Sequence, residues 1–179
     1  MIKAAAATVI GRSHVRDGSR CQDAVAVRSI RGAACIAVAD GAGSRRRSGV
    51  GAQVASERVA TVVLNNFERI YRLASTDAAR ARRMVLFPVL QSLRRKNRRR
   101  KEPLDSMACT LLFAAYKDGR YIAGHIGDGI IAVTNGTGSF VLSTPENGEL
   151  CVALLCRPQL YVADTGFAPS KESPESGQN

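Results

Sequence analysis

The stretch C35-I-A-V-A-D-G-A-G-S-R-R-R-S-G-V-G-A52 decides how the chain is read. A short apolar run, Cys35 to Ala39, ends on Asp40. Two glycines follow within three residues, then Arg45, Arg46 and Arg47, then a helix-like start at Ser48. The run is too short for a buried helix and has the Ala, Val and Ile content of a strand. It predicts a strand over 33–39 with an acid at its tip. The apolar period then changes. Val50, Val54, Val59, Val62, Val63 and Phe67 recur at helical spacing, which predicts a helix from an N-cap at Ser48 to about Leu73.

Upstream, residues 4–10 and 25–30 also read as strands, and Arg31-Gly32 as the tight turn joining the second of these to 33–39. Downstream, a second helix is predicted from Ser75 or Thr76 to about Lys96, with Thr76 as its cap and a kink or break at Pro88. Strands return in Met107–Tyr116, then Y121-I-A-G-H-I126 after a Lys117–Arg120 turn, then I130-I-A-V-T134 and F140-V-L-S-T144, with one or two more before Phe167. Strands on both sides of a helical pair argue for an α+β fold, antiparallel sheet against helices. The expected domain is 1–167, and 168–179, rich in Pro, Ser and Glu, is expected to be a disordered tail.

The 179 residues suit one domain, 45% hydrophobic and 23% charged. No apolar run reaches bilayer length and no signal-peptide pattern opens the chain, so the expectation is a cytoplasmic protein with no membrane partner. Five cysteines without a CxxC pair predict reduced thiols, with Cys35 and Cys109 as small core residues. The net charge of +11 is local: R94-R-K-N-R-R-R-K101 holds seven cations, and without them the balance is +4. That run reads as a solvated helix end or as a patch for an anionic partner. A nucleic-acid partner is disfavoured because no aromatic residue interleaves with it. Arg45–Arg47 read either as an attractor for a phosphorylated substrate or as a solvated loop.

Acids stand where an ordinary core has none. Asp23 follows Gln22 just before a strand, Asp40 precedes Gly41, and Asp128 lies between glycines. Singly, each Asp-Gly reads as a turn. If 25–30 and 33–39 pair as a hairpin, however, Asp23 and Asp40 meet at one sheet end. Two carboxylates so close repel unless a cation separates them, and hard oxygen donors suit Mg2+ or Mn2+.

In order along the chain, the Gln22-Asp23 pair, the A39-D-G-A-G-S44 block, T110-L-L-F-A114 and G127-D-G129 resemble the metal-dependent protein phosphatase 2C (PP2C, PPM) family of Ser/Thr phosphatases, in its compact bacterial branch, over about 4–150. The resemblance implies an αββα sandwich with two cations at one end. It implies Asp40 as the acid bridging both, Gly41 as a carbonyl ligand, Asp23 as the second acid, Gln22 where the family has Glu, Asp128 beside a looser cation, and Thr110 close to the site. It implies hydrolysis of phosphoserine or phosphothreonine proteins by metal-activated water, with Asp40 and Asp23 as the catalytic acids and a Ser/Thr kinase as a cognate partner. The family's phosphate-holding Arg falls on Gly18, so His14, Arg16 and Arg20 are the candidate substitutes, and His14 reads either as a phosphate or proton-transfer group or, preferably, as a loop hydrogen-bonding residue. Two later family acids have no good match: Asp164, in "ADTG", is the one acid between Glu149 and the tail. That predicts a domain truncated or frameshifted after Glu149, and keeps open a non-catalytic pseudophosphatase that binds a phosphoprotein or kinase. A basic nucleic-acid-binding module is the third reading.

Overall fold

A computed structural model describes residues 4–30, 32–98, 100, 102–134, 139–143, 151–156 and 159–161. After a short helix α1 (Arg12–Arg16) come strands β1 (Ala24–Ile30) and β2 (Ala33–Ala39). Helices α2 (Ser48–Asn65), α3 (Phe67–Thr76) and α4 (Ala78–Asn97) follow, then a 3-10 turn (Leu104–Met107). Strands β3 (Leu111–Lys117), β4 (Arg120–Ile126), β5 (Ile131–Thr134), β6 (Ser139–Ser143), β7 (Cys151–Cys156) and β8 (Gln159–Tyr161) complete the order.

The strands form an antiparallel sheet ordered β1-β2-β3-β4-β7-β8, with β5-β6 as a separate hairpin. Both sharp turns carry the expected glycine: Gly32 has φ +76°, and Asp118-Gly119 has φ +49° and +78°, the left-handed pair of a type I′ turn. Helix α2 crosses β1, β2 and β3, and α4 packs on α2. Cys35, Ala37 and Ala39 point at these helices and are fully buried. Small side chains there let α2 lie close to the sheet. Burial pushes the Cys35 thiol up to about 12. On the opposite face β5-β6 lies over part of the sheet, with a cavity of about 340 Å3 between them lined by Ile36, Ala114 and Tyr121, while Val27 and Val38 stay exposed.

This is the expected α+β arrangement of antiparallel sheet and flanking helices. Three layers of the sandwich are present, and the second helical layer is absent among the described residues. The expected tail 168–179, Asp164, the Pro145–Glu149 segment and most of the Asn135–Ser139 turn lie outside them.

Several local expectations need correction. Residues 4–10 form no strand and are mostly exposed, Val9 most of all; four consecutive alanines offer little apolar area and weak β-propensity. The first long helix stops at Asn65 rather than near Leu73. The Asn66 side chain and backbone N–H both donate to the Val62 carbonyl, at 2.9 and 3.2 Å, and close it. Ser48 is the first helical residue, not the cap, and its hydroxyl donates to the Arg45 carbonyl at 3.0 Å. The cap of α4 is Asp77, which accepts from the Arg80 N–H at 2.9 Å, not Thr76. Pro88 does not end α4, because Val85, Val89 and Leu93 anchor the helix in the core on both sides of it. Met107 belongs to the 3-10 turn and the third strand starts at Leu111.

Candidate metal centre

The sheet register builds the site. Ala24 pairs with Ala39, so the next residues out, Asp23 and Asp40, lie side by side at the sheet end. Leu111 pairs with Ile126, which puts Thr110 and Gly127 at the same end, with Asp128 one residue on. Asp40 is fixed through its main chain: its N–H donates to Thr110 Oγ1 at 3.0 Å, and its carbonyl accepts from the Thr110 N–H at 2.8 Å. Gly41 then bridges to Cys109. The flanking bonds are Thr110 N–H to the Asp40 carbonyl and Ala42 N–H to the Ala108 carbonyl (3.1 Å). They make Gly41–Cys109 the pair that exchanges no hydrogen bonds, so the Gly41 carbonyl turns away from β3, toward the Gln22-Asp23 side.

Glycine is required at 41 by crowding. A Cβ there would stand 2.7 Å from the Gln22 carbonyl oxygen and 2.9 Å from the Ser48 Cβ. Gly127, at φ +92°, lies as tightly on the Thr110 methyl.

The electrostatics are those of acids crowded together. The Asp40 carboxyl is raised above the ordinary carboxylate range, first by burial, then by a hydrogen bond shared with Asp23, then by the charges of Asp23 and Asp128. His14 acts in the opposite direction, which puts its ring within electrostatic reach of Asp40. Its Nδ1 is 2.7 Å from Ser19 Oγ. The structure thus brings together Asp23, Asp40, Gly41, Thr110, Asp128 and His14. Gln22 reaches this cluster through its main chain, whose carbonyl oxygen packs on Gly41. Gln22 turns its amide oxygen toward Gly43, 4.0 Å from where a Cβ would be. Arg16 pairs with Asp17 at 3.5 Å, and Arg20 is exposed and forms no ion pair among the described residues.

Hard oxygen donors in contact, with no Lys or Arg paired to either carboxylate among the described residues, fit one divalent cation held by Asp23, Asp40 and the Gly41 carbonyl, with water completing its shell. Among the described residues no group of three or more His, Cys, Asp or Glu side chains gathers at one point, so any cation here would draw on main-chain and water oxygens as well.

Sequence reading missed three supporting contacts. The Cys21 thiol lies 3.7 Å from Asp23 Oδ2. Cys109 sits beside Asp40, and burial with that charge raises its thiol to about 11. The arginine triplet is largely a clasp. Arg45 pairs with Asp105 at 3.1 Å. Arg47 donates to Asn97 Oδ1, and Asn97 Nδ2 donates to the Glu102 carbonyl at 2.6 Å. The loop after Asp40 is thereby tied to the end of α4. Arg47 is largely buried in this clasp, whereas Arg45 is ion-paired but stays exposed. An arginine followed fifty residues later by an asparagine leaves no local signal in sequence.

The protein phosphatase 2C model matches residues 10–172. The chain belongs to the protein phosphatase 2C family. No curated protein matches it closely enough to add a narrower assignment. Among solved structures this PP2C-family chain is similar to a protein of the bacterial stressosome, at 16% identity and TM-score 0.49 over 76% of this chain and 63% of that one. It is also similar to PppA of Pseudomonas aeruginosa, a regulatory component of its type VI secretion system (19%, TM-score 0.42, 76% and 66%). A third is RsbX, solved in complex with magnesium (18%, TM-score 0.43, 77% and 61%). The chain therefore spans under two thirds of the length of these PP2C-like structures. No helix among its described residues is long and apolar enough to cross a membrane.

Proposed function

We propose that the chain is a metal-dependent protein serine/threonine phosphatase that hydrolyses the phosphomonoester of a phosphoserine or phosphothreonine protein, the product of a Ser/Thr kinase. The observation that carries this is the contact between the Asp23 and Asp40 carboxylates at the sheet end, beside the Gly41 carbonyl. Mn2+ or Mg2+ held there would acidify a water and offset charge on the phosphoryl oxygens.

The chain's own residues do the rest. Thr110 fixes the Asp40 main chain and so aims its carboxylate. The Ser48–Gly41 packing holds the carbonyl in place. His14, with Nδ1 engaged by Ser19, has Nε2 to offer a phosphate oxygen or a leaving-group proton. Asp128 adds negative charge that favours a further, looser cation.

Purified protein should hydrolyse a phosphothreonine peptide with Mn2+, lose that activity in EDTA, and lose about a hundredfold or more in Asp40→Asn. Activity indifferent to EDTA contradicts the metal mechanism. A pseudophosphatase, favoured by the meeting of only two carboxylates in direct contact, would bind the phosphopeptide without turnover.

A further inference from the structure

Helix α4 holds six cations, Arg80, Arg82, Arg83, Arg94, Arg95 and Lys96, and no acid. Its inner face, Ala81, Val85, Val89 and Leu93, is buried in the core. The outer face carries Arg80, Arg83, Phe87, Leu90, Arg94 and, just beyond the helix, Arg98. The spacing of three or four residues puts all six on one stripe, and all are exposed. Phe87 is 57% exposed and Leu90 39%, in the middle, with cations at both ends. Among the described residues no carboxylate pairs with the side chains of these four arginines.

Local physics explains part of this. The helix dipole favours Arg94, Arg95 and Lys96 in the last turn but opposes Arg80 and Arg83 near the first. Like charges three or four residues apart, as in Arg80–Arg83 and Arg94–Arg98, destabilise the helix. Phe87 leaves more than half of its surface in water. A ligand with negative ends and an apolar middle would relieve all three.

We propose that this stripe docks an acidic amphipathic helical segment of a partner protein. Its apolar side chains would cover Phe87 and Leu90, and its carboxylates would meet Arg80 and Arg83 at one end and Arg94 and Arg98 at the other. Charge complementarity supplies the polarity of the partner, and the linear stripe, about 27 Å from Arg80 to Arg98, supplies its shape. Past the helix end a notch of about 270 Å3 lined by Arg94, Asn97, Arg98, Glu102 and Leu104 has room for one acidic side chain; Glu102 there is turned to Arg47, at 3.8 Å. A phosphate backbone has nothing apolar to place on Leu90. A lipid surface calls for a broader apolar face than two side chains.

Fluorescence anisotropy with the full chain tests this, using a synthetic helical peptide with glutamates at both ends and leucines at its centre. Saturable binding is expected. It should weaken about tenfold or more in the Phe87→Ser, Leu90→Ser double variant, in the Arg83→Glu, Arg94→Glu double variant, and when the peptide's leucines become serines. Unchanged melting temperatures show that these surface variants remain folded. The proposal is overturned if the serine peptide binds equally well, if duplex DNA or phosphatidylserine vesicles bind more tightly than the peptide, or if the peptide does not bind.

Discussion

Asp40 and Thr110 are tied to each other in both directions: the Asp40 N–H donates to Thr110 Oγ1 at 3.0 Å, and the Thr110 N–H donates to the Asp40 carbonyl at 2.8 Å. This pair joins the two acid-bearing turns of the site, since Thr110 also carries Gly127 against its methyl. Thr110→Val keeps the shape and removes the acceptor. It should cost about 1 kcal/mol in urea denaturation and weaken Mn2+ binding, whereas Thr110→Ser should retain most of both.

Crowding at two glycines separates stability from site geometry. A Cβ at Gly51 would stand 2.0 Å from the Met107 carbonyl oxygen, and one at Gly41 2.7 Å from that of Gln22. Both Gly→Ala variants should lose about 1–3 kcal/mol. Gly41→Ala should in addition lose Mn2+ affinity, because its carbonyl is displaced, while Gly51→Ala should keep a cation-dependent rise in melting temperature.

The Arg47–Asn97 clasp predicts coupling across the loop and α4. Arg47→Ala and Asn97→Ala should each lower stability by about 1–3 kcal/mol, since each leaves a partly buried polar group without its partner. The double variant should lose less than the sum, by about 1 kcal/mol in a double-mutant cycle. Additive losses would mean that the two side chains act separately.

Glu68 supplies the pH dependence. It receives Lys117 Nζ at 2.7 Å and both Arg120 Nη atoms at 2.8 Å, clamping α3 to the β3-β4 turn. The hydrogen bond from Arg120 and then that from Lys117 lower its carboxyl to about 2. The folded value lies below the unfolded one, so the clamp's contribution is full above pH 4.5 and fades as pH falls toward 2. Glu68→Gln should lower the melting temperature at pH 7 by no more than about 3 °C, because the pair is half exposed. That difference should close on acidification.

Much of this was legible in sequence because it follows local patterning. The 33–39 run ended on Asp40 as read, and the register that the turn at Gly32 imposes put Asp23 beside it. Gly127-Asp128-Gly129 fell at the end of β4 for the same reason. What stayed hidden depends on tertiary partners. Nothing near Pro88 tells that Val85, Val89 and Leu93 are buried firmly enough to carry the helix through it. Nothing near Arg47 points to Asn97. Residues 4–10 end in the β-branched Thr8, Val9 and Ile10, but the four alanines before them offer too little apolar area for the segment to be held as a strand.

The central claim, that Asp23 and Asp40 share a divalent cation, is tested most directly by calorimetric titration of the purified chain with Mn2+. Saturable binding is expected, abolished in Asp40→Asn and in Asp23→Asn with both variants folded. No binding heat in the wild type, or binding that survives Asp40→Asn, would contradict it.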